Sequence, residues 1–337
     1  MIVPSMKKGY LAGAAAIAAA ALAGIGLFFY GLRPVSAAAD APQVVFTVSQ
    51  GERFRTVADA LAGAGLIRSA LVFDAAALLD GRAGALKAGS YRLSPSMSPS
   101  AIIAALSSGA TAEATVTVPE GLDVFAIDRI LSAALITQPG AFAQYALSRN
   151  LEGHLFPDTY QFSIGESPAD IAAAMTKDFD AKAAPLLLAA GSPANATRTV
   201  IMASILEKEV QSQADQEIVA GIILKRIAIG MPLDIDATIC YAKSLNGSSA
   251  ESAVPPAAAC SLSPVDFTLK SPYNTYLYKG LPPGPIGNPG ISAITAALHP
   301  QASPYLYYLT DPKTGKTIFA KTLDEQNQNR VKYLESN

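Results

Sequence analysis

The stretch Thr199-Val200-Ile201-Met202-Ala203-Ser204-Ile205-Leu206-Glu207-Lys208-Glu209-Val210 is apolar until its end, where two carboxylates stand two positions apart. In a helix those side chains lie roughly 200° apart around the axis and cannot share one pocket. Glu209 falls on the stripe of Met202, Ile205 and Leu206, whereas Glu207 falls with Val200, Ala203 and Ser204. A carboxyl group against bulky apolar neighbours loses solvation, so its pKa rises and it holds a proton nearer neutral pH. That is the state a general acid needs in order to protonate an ether oxygen. The same two residues also read as ordinary charges in an exposed last turn, with Lys208 between them.

A second informative stretch is Tyr273-Asn274-Thr275-Tyr276-Leu277-Tyr278-Lys279-Gly280-Leu281-Pro282-Pro283-Gly284-Pro285-Ile286-Gly287-Asn288-Pro289-Gly290. Tyrosine rings stack on the apolar face of a sugar, and an Asn amide bonds hydroxyl or acetamido groups. The Pro/Gly run is not a phosphate loop, because no Gly-Lys-Ser/Thr follows it. The alternative is a structural turn. Likewise Glu152-Gly153-His154-Leu155-Phe156-Pro157-Asp158-Thr159-Tyr160 can line a cleft or cap a helix, and His154 has no nucleophile near it in sequence.

Composition narrows the chemistry. Lys+Arg 25 against Asp+Glu 27 leaves no basic excess to neutralise a phosphate backbone, so nucleic acid is not an expected partner. With His 2 and Cys 2 in 337 residues, a Cys- or His-rich metal site is not expected either. Half the chain is hydrophobic and only 15% is charged, which argues against disorder and against a coiled coil.

The elements that must position these residues begin with an uncharged run over residues 11–32, rich in Ala and closed by Leu27, Phe28, Phe29 and Tyr30. At 1.5 Å per residue it reaches about 33 Å, enough to cross a hydrocarbon core of roughly 30 Å. Lys7 and Lys8 precede it, which orients residues 1–10 to the cytoplasm and the body outward. The competing reading is a cleaved leader, since Ala37-Ala38-Ala39 resembles a cleavage site, but the run exceeds the ~7–15 residues of a leader's apolar core. Either way the body is exported. Cys240 and Cys260 can then close a Ser/Ala/Pro-rich loop as a disulfide, or remain two thiols.

After a linker (33–43), residues 44–48 read as a strand, 69–79 as a helix and 89–93 as a returning strand, with Phe54, Val57, Ala58 and Leu61 at helical spacing between. Ser98 as N-cap and Pro99 behind it start a helix that Gly109 stops. Residues 114–119 open a second region with a strand, and helices follow from Asp123 and over 139–148, 168–190, 198–210 and 215–229. The pieces 305–310 and 317–320 read as a hairpin, and 323–334 as a last helix. Strands and helices are segregated, so the expected class is α+β.

Two resemblances attach to these residues. Val48, Gly51-Glu52, Phe54 and Val57-Ala58 resemble the opening of a LysM module, which implies a small glycan-binding subdomain over 44–111. A longer set resembles the endolytic murein transglycosylases (the MltG, or YceG-like, family). Its pieces are, in order, Val118-Pro119-Glu120-Gly121, Glu152-Gly153, Phe156-Pro157-Asp158-Thr159-Tyr160 and Ala203-Ser204-Ile205-Leu206-Glu207-Lys208-Glu209. Next come Arg226, Gly230-Met231-Pro232-Leu233 with Asp236 and Thr238, Tyr273-Asn274-Thr275-Tyr276 and Gly280-Leu281-Pro282-Pro283-Gly284-Pro285-Ile286. Asn288-Pro289-Gly290, Ala296-Ala297-Leu298-His299-Pro300 and Tyr305-Leu306-Tyr307-Tyr308 close it. The chain departs from the family at Asp234-Ile235-Asp236-Ala237-Thr238, where Gln-Ser/Thr-Asp-Pro-Thr is common, and at Val210, where Thr or Ser is common.

This resemblance implies a catalytic domain over 112–337 that cuts within peptidoglycan glycan strands, with Glu209 as the acid and no metal or cofactor. Tyr273, Asn274, Tyr276, Asp236 and Glu152 are the expected strand-holding residues. Peptidoglycan synthases and division proteins are the implied partners, and the inner membrane, with the body in the periplasm, is the implied location. The rival is a membrane-tethered glycan-binding protein without activity. An aminodeoxychorismate lyase is disfavoured, because that cytosolic chemistry needs a Schiff-base lysine and none has a recognisable setting here.

Overall fold

The computed structural model describes residues 5–38, 41–109, 111–188, 191–247 and 260–335, with the side chains of 5–16 and 335 excepted. The chain divides into two units, one of residues 1–114 with 163–165 and one of 115–162 with 166–337.

In the first unit, helix α1 spans Ser5–Gly31. Among the described residues no helix is long and apolar enough to cross a membrane; the side chains of the first part of the 11–32 run lie outside them. Strand β1 (Val44–Val48) leads to α2 (Phe54–Gly63) and α3 (Ala70–Leu79), and β2 (Gly89–Leu93) returns antiparallel to β1 in the register Val44↔Leu93 to Val48↔Gly89. Helix α4 (Pro99–Ser108) starts where Ser98 Oγ accepts the Ala101 N–H at 3.2 Å and ends at Gly109, whose φ of 72° favours glycine. Val57, Leu61, Phe73, Tyr91, Ile102, Ile103 and Leu106 are all but fully buried and form this unit's core.

The boundary to the second unit falls in β3 (Glu113–Thr117), which pairs with β4 (Thr159–Ser163). Helix α5 (Val124–Ala133) is capped by Asp123 Oδ1. Its buried Asp128 then accepts the N–H groups of Gly140, Phe142 and Ala143 at 2.7 to 3.1 Å, and so caps α6 (Ala141–Ser148), whose own N-cap is a glycine. The single helix expected over 168–190 is two, α7 (Pro168–Lys182) and α8 (Ala184–Leu187), with the break at Ala183 ahead of Pro185.

Helix α9 (Pro193–Glu209) is the axis of the unit. Every residue from 199 to 206 is buried, as an all-round apolar helix must be. Around it pack α8, α10 (Gln213–Ala228), α11 (Asp236–Leu245) and α12 (Ile291–Leu298). Gly221 of α10 has no room for a side chain, because the Gln301 carbonyl lies 1.9 Å from where its Cβ would be. The hairpin of β5 (Tyr307–Thr310) and β6 (Thr317–Ala320), with Tyr308 opposite Phe319, precedes the last helix α13 (Leu323–Arg330). Among the described residues, three two-stranded sheets and many helices make a mixed α+β fold.

Candidate active site

The C-terminal end of α9 presents its two carboxylates to different surroundings. Glu207 Oε2 accepts the Gly290 N–H at 3.0 Å, and one turn back Ser204 Oγ accepts the Ile286 N–H at 3.0 Å. That face therefore pins the Pro/Gly loop and the start of α12. Burial, followed by the charge of Glu120, raises the Glu207 pKa, while the Gly290 N–H lowers it.

Glu209 faces the hairpin instead. The Tyr308 O–H donates to its Oε2 at 2.9 Å, and Thr310 Oγ1 reaches its backbone carbonyl at 3.5 Å. Tyr308 and Thr310 are alternate residues of β5, hence on one face of the strand. Burial, opposed by the Tyr308 hydrogen bond and aided by the Asp236 charge, brings the Glu209 pKa up to about 7.

Arg226, 7% exposed, ties the two arms of this site together. Its Nε donates to the Leu306 carbonyl at 2.7 Å, and its Nη1 donates to the carbonyls of Leu233 at 2.7 Å and Pro232 at 3.3 Å. The guanidinium also covers the Tyr307 ring at 5.1 Å. On the α11 arm, Asp234 takes a φ of 53°, the Ile235 N–H donates to Thr275 Oγ1 at 3.0 Å, and α11 begins at Asp236. Exposed Asp236 Oδ1 accepts the Tyr276 O–H at 2.6 Å. Tyr276 in turn packs edge-on against Phe267 at 4.9 Å. Burial first, then the Asp236 hydrogen bond and charge, raises the Tyr276 pKa, so it stays a phenol.

The fold thus brings Glu209, Asp236 and Tyr276 together. It sets the other three expected residues differently. Asn274 is fully buried: its Nδ2 donates to the Phe267 and Leu269 carbonyls at 3.1 and 2.9 Å, and its Oδ1 accepts the Tyr276 N–H at 3.0 Å. It shapes the turn that delivers Tyr276, with no polar atom left for a sugar. Glu152, 6% exposed, accepts from the Val124 N–H at 3.1 Å, Asn288 Nδ2 at 2.9 Å and the Tyr241 phenol. Burial, then the Asp123 charge, pushes it up to about 8. Tyr273 lies in the same neighbourhood, edge-on to Tyr241 at 4.9 Å. Asn288 is also buried, accepting the Leu155 N–H and donating to the Leu122 carbonyl, both at 2.9 Å.

Cys240 of α11 is bonded to Cys260, with Cα atoms 5.9 Å apart; residues 248–259 of the loop between them lie outside the described residues. Among the described residues no group of three His, Cys, Asp or Glu side chains could hold a metal ion. Tyr308 and Arg226 stand in the sequence as pieces of the family resemblance, but neither the hydrogen bond of Tyr308 to Glu209 nor the bridging role of Arg226 can be read from it. The available signal was the hairpin with its alternation of two, but nothing local says that this strand face meets α9.

Residues 46–332 match the model of the YceG-like family. An endolytic murein transglycosylase of Bacillus subtilis is 31% identical over 92% of this chain and 91% of its own length. One from Streptococcus pneumoniae is 26% identical over 87% of this chain, which spans 59% of that longer protein. A solved YceG-like protein from Listeria monocytogenes superposes with a TM-score of 0.53 at 29% identity, covering 86% of this chain and 99% of its own. The likeness runs through both units and includes the helix that carries Glu209, so the chain belongs to the YceG-like family.

Proposed function

We propose that this protein is a membrane-anchored endolytic murein transglycosylase with Glu209 as its acid. It would cut the bond between N-acetylmuramic acid and N-acetylglucosamine within a glycan strand. The observation that carries the reading is a carboxyl group with a pKa of about 7 at the end of a buried helix, beside an exposed aspartate and a tyrosine pair. Near neutral pH such a group is part acid and part base, as one residue serving both halves of a transfer must be. The relatives named above support the substrate class.

The steps follow from one carboxyl. Protonated Glu209 donates to the glycosidic oxygen as the C1–O bond breaks, leaving an oxocarbenium-like charge on the muramyl ring. The carboxylate so formed removes the proton from the C6 hydroxyl, O6 bonds to C1, and a 1,6-anhydro end results without water. A hydrolase would need a second carboxylate as nucleophile or base. We assign the exposed Asp236 and the half-buried Tyr276 to hydrogen bonding of sugar hydroxyls at the rim, and Tyr273, Asn274 and Glu152 to supporting them.

The first unit has the strand–helix–helix–strand order of a LysM-like module, which supports a role in holding glycan. The same observation favours the second reading, a glycan-binding protein without turnover. We further place the body in the periplasm on a single N-terminal span, where synthases and division proteins work; the disulfide accords with an oxidising compartment.

Mass analysis of products from purified glycan strands tests the proposal. The expected fragments carry anhydromuramyl ends, lighter by one water than a hydrolase would leave, and Glu209→Gln should lose about 100- to 10,000-fold in rate. Reducing muramyl ends would overturn the transglycosylase chemistry. A fully active Glu209→Gln would overturn the acid, and an inert wild type would favour the binding protein.

A further inference from the structure

An acid that must give up a proton and then take one back needs a defined oxygen on which to carry it. Glu209 has two, and only Oε2 accepts a hydrogen bond, from Tyr308 at 2.9 Å, among the described residues. We propose that Tyr308 is the positioning residue of the acid: its O–H holds Oε2, so that Oε1 carries the proton to and from the sugar. This rests on the reading of Glu209 as general acid.

Tyr308 is built to hold that place. Its backbone pairs with Phe319 across the hairpin, and its carbonyl accepts Gln326 Nε2 at 2.9 Å. On the residues before it, Arg226 grips the Leu306 carbonyl and covers the Tyr307 ring. Burial first, then the charge and hydrogen bond of Glu209, keeps the Tyr308 phenol far from ionising, so it remains a donor across the working pH range. A phenol proton held on Oε2 draws electron density from that oxygen and makes it the less basic of the two, so the acid's own proton is directed to Oε1.

The consequence for pH is specific. The groups facing Glu209 are Tyr308 from β5, Asp236 from α11 and, through its effect on Tyr276, the loop ahead of the Pro/Gly run; Arg226 from α10 faces Tyr308, and Asp234 flanks Asp236. The Asp236 charge favours the protonated acid. Of these groups only the Tyr308 O–H favours the carboxylate by a hydrogen bond. Removing that donor should raise the acid's pKa and weaken its delivery of the proton.

The test is Tyr308→Phe in the full chain, which keeps the ring and deletes only the donor, assayed on glycan strands from pH 5 to 9. The plateau kcat should fall about tenfold or more with KM within about twofold, and the basic limb of the profile should move up by about half to one pH unit. Carbon-13 titration of the Glu209 carboxyl without substrate gives a second readout, with the midpoint expected higher in the variant. A wild-type profile in the variant, or a lower rate with limb and midpoint unmoved, would overturn the proposal. Glu209→Gln is run alongside. If it is fully active, the acid assignment falls and takes this inference with it; if it is inactive while Tyr308→Phe matches wild type, only the inference falls.

Discussion

Glu152 receives a backbone N–H, an amide N–H and a phenol O–H in an enclosed site, a donor set matched to a carboxylate by a fold that otherwise disfavours charge there. Its type and position suggested a cleft residue, and nothing in the sequence near it names Val124, Asn288 or Tyr241 as partners. Folded, burial lets it keep its proton up to about pH 8; unfolded, it releases it in the ordinary glutamate range near ~4.3. The stability this group contributes is therefore full below pH ~4.3 and is lost as the pH rises toward 8. Glu152→Ala should cost about 2–4 kcal/mol, because three buried donors lose their acceptor. Glu152→Gln fixes the neutral form but turns an N–H toward a donor. Urea unfolding should find it less stable than wild type at pH 5, with the gap narrowing by pH 8. An equal gap at both values would mean that the folded protein holds Glu152 ionised throughout.

At the scale of elements, what was legible had its signal close by, and what was missed had it far away. The Ser98, Pro99 and Gly109 signals of α4 and the Asp123 cap of α5 act within three residues of the backbone groups they serve or mark the helix end outright. Helices α11 and α12 have Ile235 and Gly290 as their N-caps, neither with a side-chain cap of its own. Their first turns depend on Thr275, 40 residues from Ile235, and Glu207, 83 residues from Gly290. The stripe that separates Glu209 from Glu207 was readable for the same reason as α4, since helical periodicity is local. Helix α11 carries Asp236 at one end and Cys240 in its middle, so the disulfide bears on the element that places a rim residue. Closing a loop of sequence separation 20 removes unfolded-state freedom worth about 3 kcal/mol. The Cys240→Ser/Cys260→Ser protein should unfold at lower denaturant by that amount, and reductant should bring wild type to the same midpoint. No response of wild type to reductant, with both thiols alkylated beforehand, would show that the bond does not form.

At the scale of the whole molecule, the first unit and its leading helix are joined by more than the chain. Arg68 donates to the carbonyls of Pro34 at 2.8 Å and Val35 at 3.0 Å and to the Tyr30 phenol at 3.1 Å, with its guanidinium 4.9 Å from the centre of that ring. The Ser36 N–H donates to the Pro95 carbonyl at 2.9 Å. Cleavage in the alanines that follow would strip all of these partners from Arg68 and leave Pro95 without its donor. Ahead of them Ile17, Leu22, Leu27 and Phe29 stand 63–74% exposed on α1, an arrangement that costs free energy in water and gains it in hydrocarbon. The described side chains of α1 cover residues 17–31, about 22 Å of helix and short of a hydrocarbon core of roughly 30 Å, so a full span needs the uncharged residues 11–16 of the sequence as well. On the proposed anchor, the native protein should keep its first residues, sediment with membranes, resist extraction by salt or carbonate and come free in detergent. N-terminal sequencing is the decisive measurement. A mature chain beginning near Ala38 would mean that the body works as a released protein and that the Arg68 contacts belong only to the precursor.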